Sequence, residues 1–166
     1  MAITTRAIEE SDRAQVIDLL VRRWTSPEIL IDGEMVNGSA LPGFIAFDDD
    51  ELVGLVTLIK RESEWEILTL DSLRRWGGIG TQLLDRCVDG ALEAHIERLM
   101  VRTSNDNLDA FRFYQRRGFR LEAVVQGVID RERELKPEIP VTGLHGIPIR
   151  DEVVFARSLP KRRMED

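Results

Sequence analysis

The sequence predicts a mixed α/β fold, and three observations carry that prediction. Leu68 to Leu84 reads as a strand, a glycine-rich turn and an amphipathic helix, because Ile79, Leu83, Leu84, Cys87, Val88, Ala91 and Leu92 recur at helical spacing. Leu99 to Thr103 reads as a strand feeding a second helix, which starts at Asn107, carries Ala110, Phe111 and Tyr114 on one face and ends at Gly118. Gly43 to Phe47 and Leu52 to Ile59 read as a hairpin across the acidic turn Asp48-Asp49-Asp50-Glu51.

The remaining elements follow in chain order. Ile3 to Ile8 alternates and suits a first strand. Ser11 is placed to cap a helix running through Trp24, with Val16, Ile17, Leu20 and Trp24 on its inner face. Thr25 to Leu41 reads as irregular, because Pro27, Gly33, Gly38 and, just beyond, Pro42 interrupt any period. A turn at Arg61-Glu62-Ser63 leads into the strand that enters the glycine loop. Strict alternation on that strand puts Glu64, Glu66, Leu68 and Leu70 on one face and Trp65, Ile67, Thr69 and Asp71 on the other. Phe119 to Val125 is a further strand, Gln126 to Lys136 a helical stretch, and Asp151 to Ser158 the last strand. Residues 1–160 are expected to form a single domain, followed by a tail at 161–166 that is polar apart from Met164 and frays.

Bulk properties narrow the function classes. A chain of 166 residues normally builds one core. No apolar run approaches membrane-span length and no signal-peptide pattern opens the chain, so a cytoplasmic protein without a membrane partner is expected. The net charge of −7 argues against a nucleic-acid surface and is compatible with a cationic substrate. Cys87 is the only cysteine and lies on an apolar helix face, which reads as a core thiol. No metal is expected.

The glycine turn carries the chemistry. It ends at a helix N-terminus, where the first amides lack intrahelical acceptors and the dipole is positive. Gly77, Gly78 and Gly80 leave those amides open, an arrangement that binds phosphate or pyrophosphate. A nucleotide-triphosphate P-loop needs lysine after its last glycine, and Thr81 follows Gly80 here. A dinucleotide fingerprint needs a third small residue where Leu83 stands. What remains is Arg75-x-x-Gly78-x-Gly80, followed downstream by Asn107-x-x-Ala110-x-x-Phe113-Tyr114-x-x-x-Gly118-Phe119.

Both motifs, in this order, resemble those of the GNAT acetyltransferase superfamily. The resemblance covers about Leu52 to Phe119 well, the N-terminal part loosely and the stretch after Phe119 poorly. It implies a mostly antiparallel central sheet of about seven strands with helices on both faces. It implies acetyl-CoA as cosubstrate, with the pyrophosphate on Gly77, Gly78, Ile79, Gly80 and Thr81 and Arg75 on phosphate oxygens. Backbone groups of Leu70, Asp71 and Ser72 would hold the pantetheine arm like an added strand edge. Trp76 stands where the family often has a small or polar residue; it covers the adenosine or is an exposed loop aromatic. Asn107 contacts the pantetheine or caps its helix, and Ala110 and Phe111 share the cosubstrate-facing helix with Tyr114.

The reaction implied is direct acetyl transfer to a primary amine in a ternary complex. Tyr114 matches the family tyrosine beside the coenzyme sulfur; a phenol of ordinary pKa near 10 can protonate the departing thiolate. Glu66 is the candidate base, acting through a water. Acceptor-facing candidates are Trp24, Glu28, Glu34, Glu64, Glu66 and Asp151. The long stretch Gln126 to Arg150, stiffened by Pro137, Pro140 and Pro148, is expected either to cover the acceptor and bring Asp130, Glu138 or Asp151 near a cation, or to serve as a surface elaboration or dimer contact. His145 reads as a loop residue and His95 as a helix-end residue. Edge-strand or helix-mediated homodimers are compatible with this chain. The competing readings are a non-catalytic acyl-CoA sensor and a different phosphate-binding module.

Overall fold

The computed structural model describes residues 2–75 and 77–161, so Trp76 and all of the polar tail beyond Lys161 lie outside the described residues. The chain divides into two compact units, residues 1–97 with 159–166 and residues 98–158. The first contains β1 (Ile3–Ala7), α1 (Arg13–Trp24), β2 (Glu28–Ile31), β3 (Glu34–Asn37), β4 (Gly43–Asp48), β5 (Glu51–Lys60), β6 (Glu64–Ser72) and α2 (Ile79–Glu93). Its strands run β1-β4-β5-β6, each antiparallel to its neighbour. The second contains β7 (Arg98–Ser104), α3 (Leu108–Arg116), β8 (Arg120–Val125), α4 (Val128–Leu135) and β9 (Glu152–Ser158), with strand order β7-β9-β8, again antiparallel. Among the described residues, the seven-stranded sheet and four α-helices make the mixed, mostly antiparallel architecture that the sequence leads one to expect.

In the first unit the two helices cover opposite faces of the sheet. Val16, Leu19 and Leu20 of α1 pack against Ile45 and Leu55. The next residues along those strands face the other way, where Phe44 and Trp65 approach Gly90 of α2. The inner face of α1 is therefore Val16, Leu19 and Leu20; Ile17 and Trp24, expected inside, are exposed. Entry to α1 also differs from expectation. A 3-10 turn at Glu10–Asp12 precedes it, and the Asp12 carboxylate, not Ser11, takes the Glu9 N–H at 2.7 Å. Arg6 grips the same carboxylate through two bonds of 2.6 and 2.8 Å.

The segment read as irregular contains a second sheet, the β2–β3 ribbon. Asp32 and Gly33 turn it with φ of 49° and 78°, the two positive values of a type I′ hairpin. An Asp-Gly pair between Ile29-Leu30-Ile31 and Met35-Val36 was the signal for it.

The approach of α2 to the sheet is set by Gly54. A methyl group there would lie 2.6 Å from Ile79 Cγ2, 2.9 Å from Leu83 Cδ1 and 3.2 Å from the Asp71 carbonyl. Absence of a side chain on β5 lets the first turns of α2 sit directly on the strand. Cys87, further along the same helix face, is fully buried, and burial pushes its thiol pKa up to about 12, as suits a core residue.

Two outcomes follow from this packing. Gly54→Ala should cost about 1–3 kcal/mol in urea unfolding, since overpacking forces α2 outward; a loss below 0.5 kcal/mol would count against the contact. Hydrogen bonding to Arg6 holds the Asp12 carboxyl below the usual carboxylate range. That contribution is complete above the unfolded value of about 3.9 and disappears as pH falls through the lower folded value. Asp12→Asn should therefore cost about 1–2 kcal/mol at neutral pH and flatten the acid limb of stability below about pH 4, read by thermal melts across pH.

Candidate functional site

In the first unit β6 runs into the glycine turn. The stretch after Ser72 is tied back to the sheet: Leu73 N–H donates to the Val53 carbonyl at 2.8 Å and Ser72 Oγ to the Arg74 carbonyl at 2.8 Å. Arg74 itself pairs with Asp48, and with Glu51 at 2.7 Å, so the acidic hairpin turn anchors the loop. Arg75 is exposed and has no ion pair among the described residues. Gly77 and Gly78 follow with φ of 132° and 69°, values that side chains resist. Among the described residues, no atom beyond the chain neighbours lies within 4 Å of where a Cβ would stand on either, so the space above both is open there.

Helix α2 begins at once. Its first internal bond joins the Gln82 N–H to the Gly78 carbonyl at 2.9 Å, leaving Ile79, Gly80 and Thr81 as the residues whose amides precede the helical ladder. Gly78 offers no side-chain cap and no acidic residue occupies the first turn. The positive end of a 15-residue helix therefore meets an open glycine cradle, as a diphosphate requires.

The faces of β6 differ from the alternation expected. Thr57 pairs with Thr69 but Leu58 pairs with Ile67, so Leu68 is a bulge residue that shifts every position before it. Lys60 lies over the Trp65 ring at 4.4 Å, which puts Trp65, Ile67 and Leu70 on the α2 face with Val56 and Leu58. Glu66, Thr69 and Asp71 share the opposite face, the one covered by α1. Glu66 and Leu70, expected side by side, are therefore on opposite faces. Glu66 is 0% exposed and its Oε1 accepts Arg61 Nη1 at 3.1 Å. Thr57 and Thr69 join hydroxyls at 2.7 Å between Glu66 and Asp71, making a polar face where a core normally is apolar. Glu64 opens the strand, half-buried.

The end of α1 closes on Asp71. Trp24 Nε1–H donates to Asp71 Oδ2 at 3.0 Å, and Arg23 Nη2 donates to the Ser72 carbonyl at 2.9 Å. Burial raises the Asp71 pKa, opposed by the Trp24 bond and the Arg23 charge. The Trp24–Asp71 bond could not be read from sequence, since 47 positions separate the two residues. Glu28 and Glu34 are exposed at opposite ends of the β2–β3 ribbon, Glu28 facing Asn37 and Glu34 beside the turn.

In the second unit α3 carries the other motif. Asn107 caps it, its Oδ1 accepting the Ala110 N–H at 3.1 Å, so the capping alternative describes its present engagement. Gly118, with φ of 86°, ends the helix in a Schellman arrangement: Phe119 N–H reaches the Tyr114 carbonyl at 3.0 Å and Gly118 N–H the Gln115 carbonyl at 3.3 Å. Tyr114 is 5% exposed and packs edge-on against Phe113 at 5.1 Å and Phe119 at 5.2 Å, while Phe111 packs on Phe155 at 5.2 Å.

The stretch after β8 is ordered by two staples. Arg133 of α4 donates to Asp130 Oδ1 and to the carbonyls of Ile139, Pro140 and Ile149 at 2.7–3.1 Å. Asp106, 4% exposed, accepts the Ser104 hydroxyl and the Leu144 N–H, while Asn105 accepts the N–H groups of Arg150 and Asp151. The carboxylates expected to meet a cationic substrate are mostly committed to this scaffold. Asp130 binds Arg133 and Arg150, and Asp151 Oδ1 accepts the Gly127 N–H at 2.8 Å; Glu138 is exposed. His145 and Gly146, with φ of 59° and 70°, form the tip of the hairpin that Thr142 and Pro148 bridge. His95 occupies the left-handed position after α2, and its N–H reaches the Leu92 carbonyl at 3.1 Å.

The first unit's glycine cradle on a helix N-terminus is the feature of a phosphate-binding α/β protein, and the second unit carries an Asn-capped, Tyr-bearing helix. Comparison with known proteins is consistent with that class. The Acetyltransferase (GNAT) family matches residues 9–119. The Bacillus subtilis (strain 168) protein YxbD is 38% identical over 139 residues, 83% of this chain and 87% of that protein. YdhI of the same organism is 36% identical over 149 residues, covering 89% and 93%. Among solved structures, a GNAT family acetyltransferase from Elizabethkingia anophelis with acetyl-CoA bound superposes with a TM-score of 0.68 at 18% identity, over 95% of this chain and 98% of that one. Arabidopsis thaliana Naa50 in complex with the bisubstrate analogue CoA-Ac-MVNAL gives 0.70 at 22% identity, over 96% and 100%. This chain belongs to the GNAT acetyltransferase family.

Proposed function

We propose that this protein transfers an acetyl group from acetyl-CoA directly to a primary amine. The observation that carries the reading is the open Gly77–Gly78 cradle leading straight into the α2 N-terminus. Amides of Ile79, Gly80 and Thr81 receive the diphosphate and Arg75 its outer oxygens, while the backbone of Leu70 to Ser72 takes the pantetheine arm. The family resemblance assigns Asn107, Ala110 and Phe111 of α3 to the same cosubstrate. Holding thioester and amine together supplies on the order of 7–11 kcal/mol of the barrier reduction.

Acid–base work then falls to few groups. The free amine attacks the thioester carbonyl, and Tyr114 protonates the thiolate as the carbon–sulfur bond breaks. Glu66 belongs to this reading as a carboxylate on the acceptor side of β6, held by Arg61. The chemistry asks only that the acceptor be a primary amine. A sensor that binds without turnover would show acetyl-CoA binding but no thiol release.

Acetyl-CoA at about 100 times its dissociation constant should add about 2.7 kcal/mol of stability in a thermal shift, whereas ATP and NAD should add little. Gly78→Asp should abolish that shift, because the new carboxylate fills the open space and repels phosphate; a shift of wild-type size would remove the cradle from the reading. Tyr114→Phe keeps the ring packing and should lower turnover by about 100-fold with coenzyme affinity within a few fold. Unchanged thiol release would withdraw the acid role.

A further inference from the structure

We propose that the Asp71 carboxylate receives the acceptor's ammonium group and takes its first proton, an inference that rests on the acetyl-transfer reading above. Asp71 stands one residue past Leu70 at the C-terminal end of β6, directly before the glycine loop, on the face shared with Thr69 and Glu66. Its Oδ2 is fixed by the Trp24 indole at 3.0 Å, whereas Oδ1 has no donor among the described residues. A half-buried carboxylate with one oxygen fixed and the other unfilled has acceptor capacity aimed at something outside the fold.

The contrast with its neighbours sharpens the assignment. Asp12, Asp48 and Glu66 are also largely withdrawn from solvent, and each holds an arginine. Asp71 holds a neutral indole N–H instead. The nearest cation, Arg23, spends its Nη2 on the Ser72 carbonyl. A partly desolvated carboxylate that feels Arg23 only through space, with no ion pair of its own, is under-compensated, and an arriving ammonium supplies the missing partner. Trp24 is 37% exposed, so its ring can flank the same cation. Burial raises the Asp71 pKa towards the range useful for a base, whereas Glu66 is fully buried and already holds the Arg61 guanidinium.

The step balances without a further reactant. One ammonium N–H bond breaks as an O–H bond forms on Asp71 Oδ1, leaving the nitrogen lone pair free. That pair forms the C–N bond, and the thioester π pair moves to oxygen. When the carbonyl reforms, the C–S bond breaks and its pair leaves on sulfur. The second nitrogen proton offsets the one Tyr114 gives to the thiolate, and Asp71 returns its proton to water. Ammonium and thioester become amide, thiol and one released proton.

Asp71→Asn tests this with spermidine, tyramine and alanyl-glycinamide as amines, following thiol release. At pH 7 turnover should fall at least 100-fold while the acetyl-CoA thermal shift is unchanged. Turnover should recover as pH approaches the amine's own pKa, where the acceptor arrives neutral. Since burial disfavours the ionised carboxyl, stability from residue 71 diminishes as pH rises through its raised pKa; the Asn variant should melt no lower than the parent at pH 7–8. Turnover within threefold of the parent, or a loss that high pH does not relieve, overturns the proposal. If the parent binds acetyl-CoA but acetylates none of the three amines, the transfer reading fails for these acceptors, and binding then decides the present point. Crystals of the CoA complex soaked with tyramine should place its nitrogen about 3 Å from Asp71 Oδ1; tyramine elsewhere, or absent, overturns it.

Discussion

The direct contact of α2 with Gly54 on β5 is the constraint on which the rest of the first unit depends. Every other residue type at position 54 would meet Ile79 and Leu83, the residues that open the helix's buried face. Because that contact is available, the helix starts close above the sheet, and the chain from β6 must reach it through a tight loop. Gly77 and Gly78 make the loop with left-handed angles and put no side chain of their own over the helix end. Packing on one side of α2 thus determines where its first-turn amides point, and a close-packed interior transmits that placement without slack.

The polar face of β6 is the second organising feature. A single bulge at Leu68 separates Trp65, Ile67 and Leu70, which pack beneath α2, from Glu66, Thr69 and Asp71, which face α1. Bulges re-aim side chains, and here one divides the apolar packing beneath α2 from the polar groups facing α1. Buried hydroxyls and carboxylates stabilise little by themselves once desolvation is counted, so their presence along one strand fits a site better than a core. Trp24, exposed at the end of α1, joins this face through its bond to Asp71.

Much of this was legible in the sequence, and what was not has physical causes. The α2 and α3 elements could be read because their apolar period, glycine angles and caps are local properties of adjacent residues. The bulge could not, since a strand of Glu-Trp-Glu-Ile-Leu-Thr-Leu satisfies either register and only pairing with β5 chooses. The inner face of α1 was displaced because Ile17 and Trp24 are as apolar as Leu19 and Leu20, and burial is decided by the sheet beneath. Pro27, Gly33, Gly38 and Pro42 read as breakers and hide the β2–β3 ribbon, although Asp32-Gly33 is itself a hairpin turn. Acidic residues after β8 looked available to a substrate until Arg133, Arg150 and the Gly127 amide took them.

The central claim is that backbone amides at the start of α2 hold the diphosphate of coenzyme A. Amide-resolved NMR during titration with CoA measures this most directly. The Ile79, Gly80 and Thr81 N–H resonances should move strongly downfield as phosphate oxygens become their acceptors, with those of the α2 C-terminal turns nearly still. Saturable CoA binding that leaves these three amides unmoved would contradict the account.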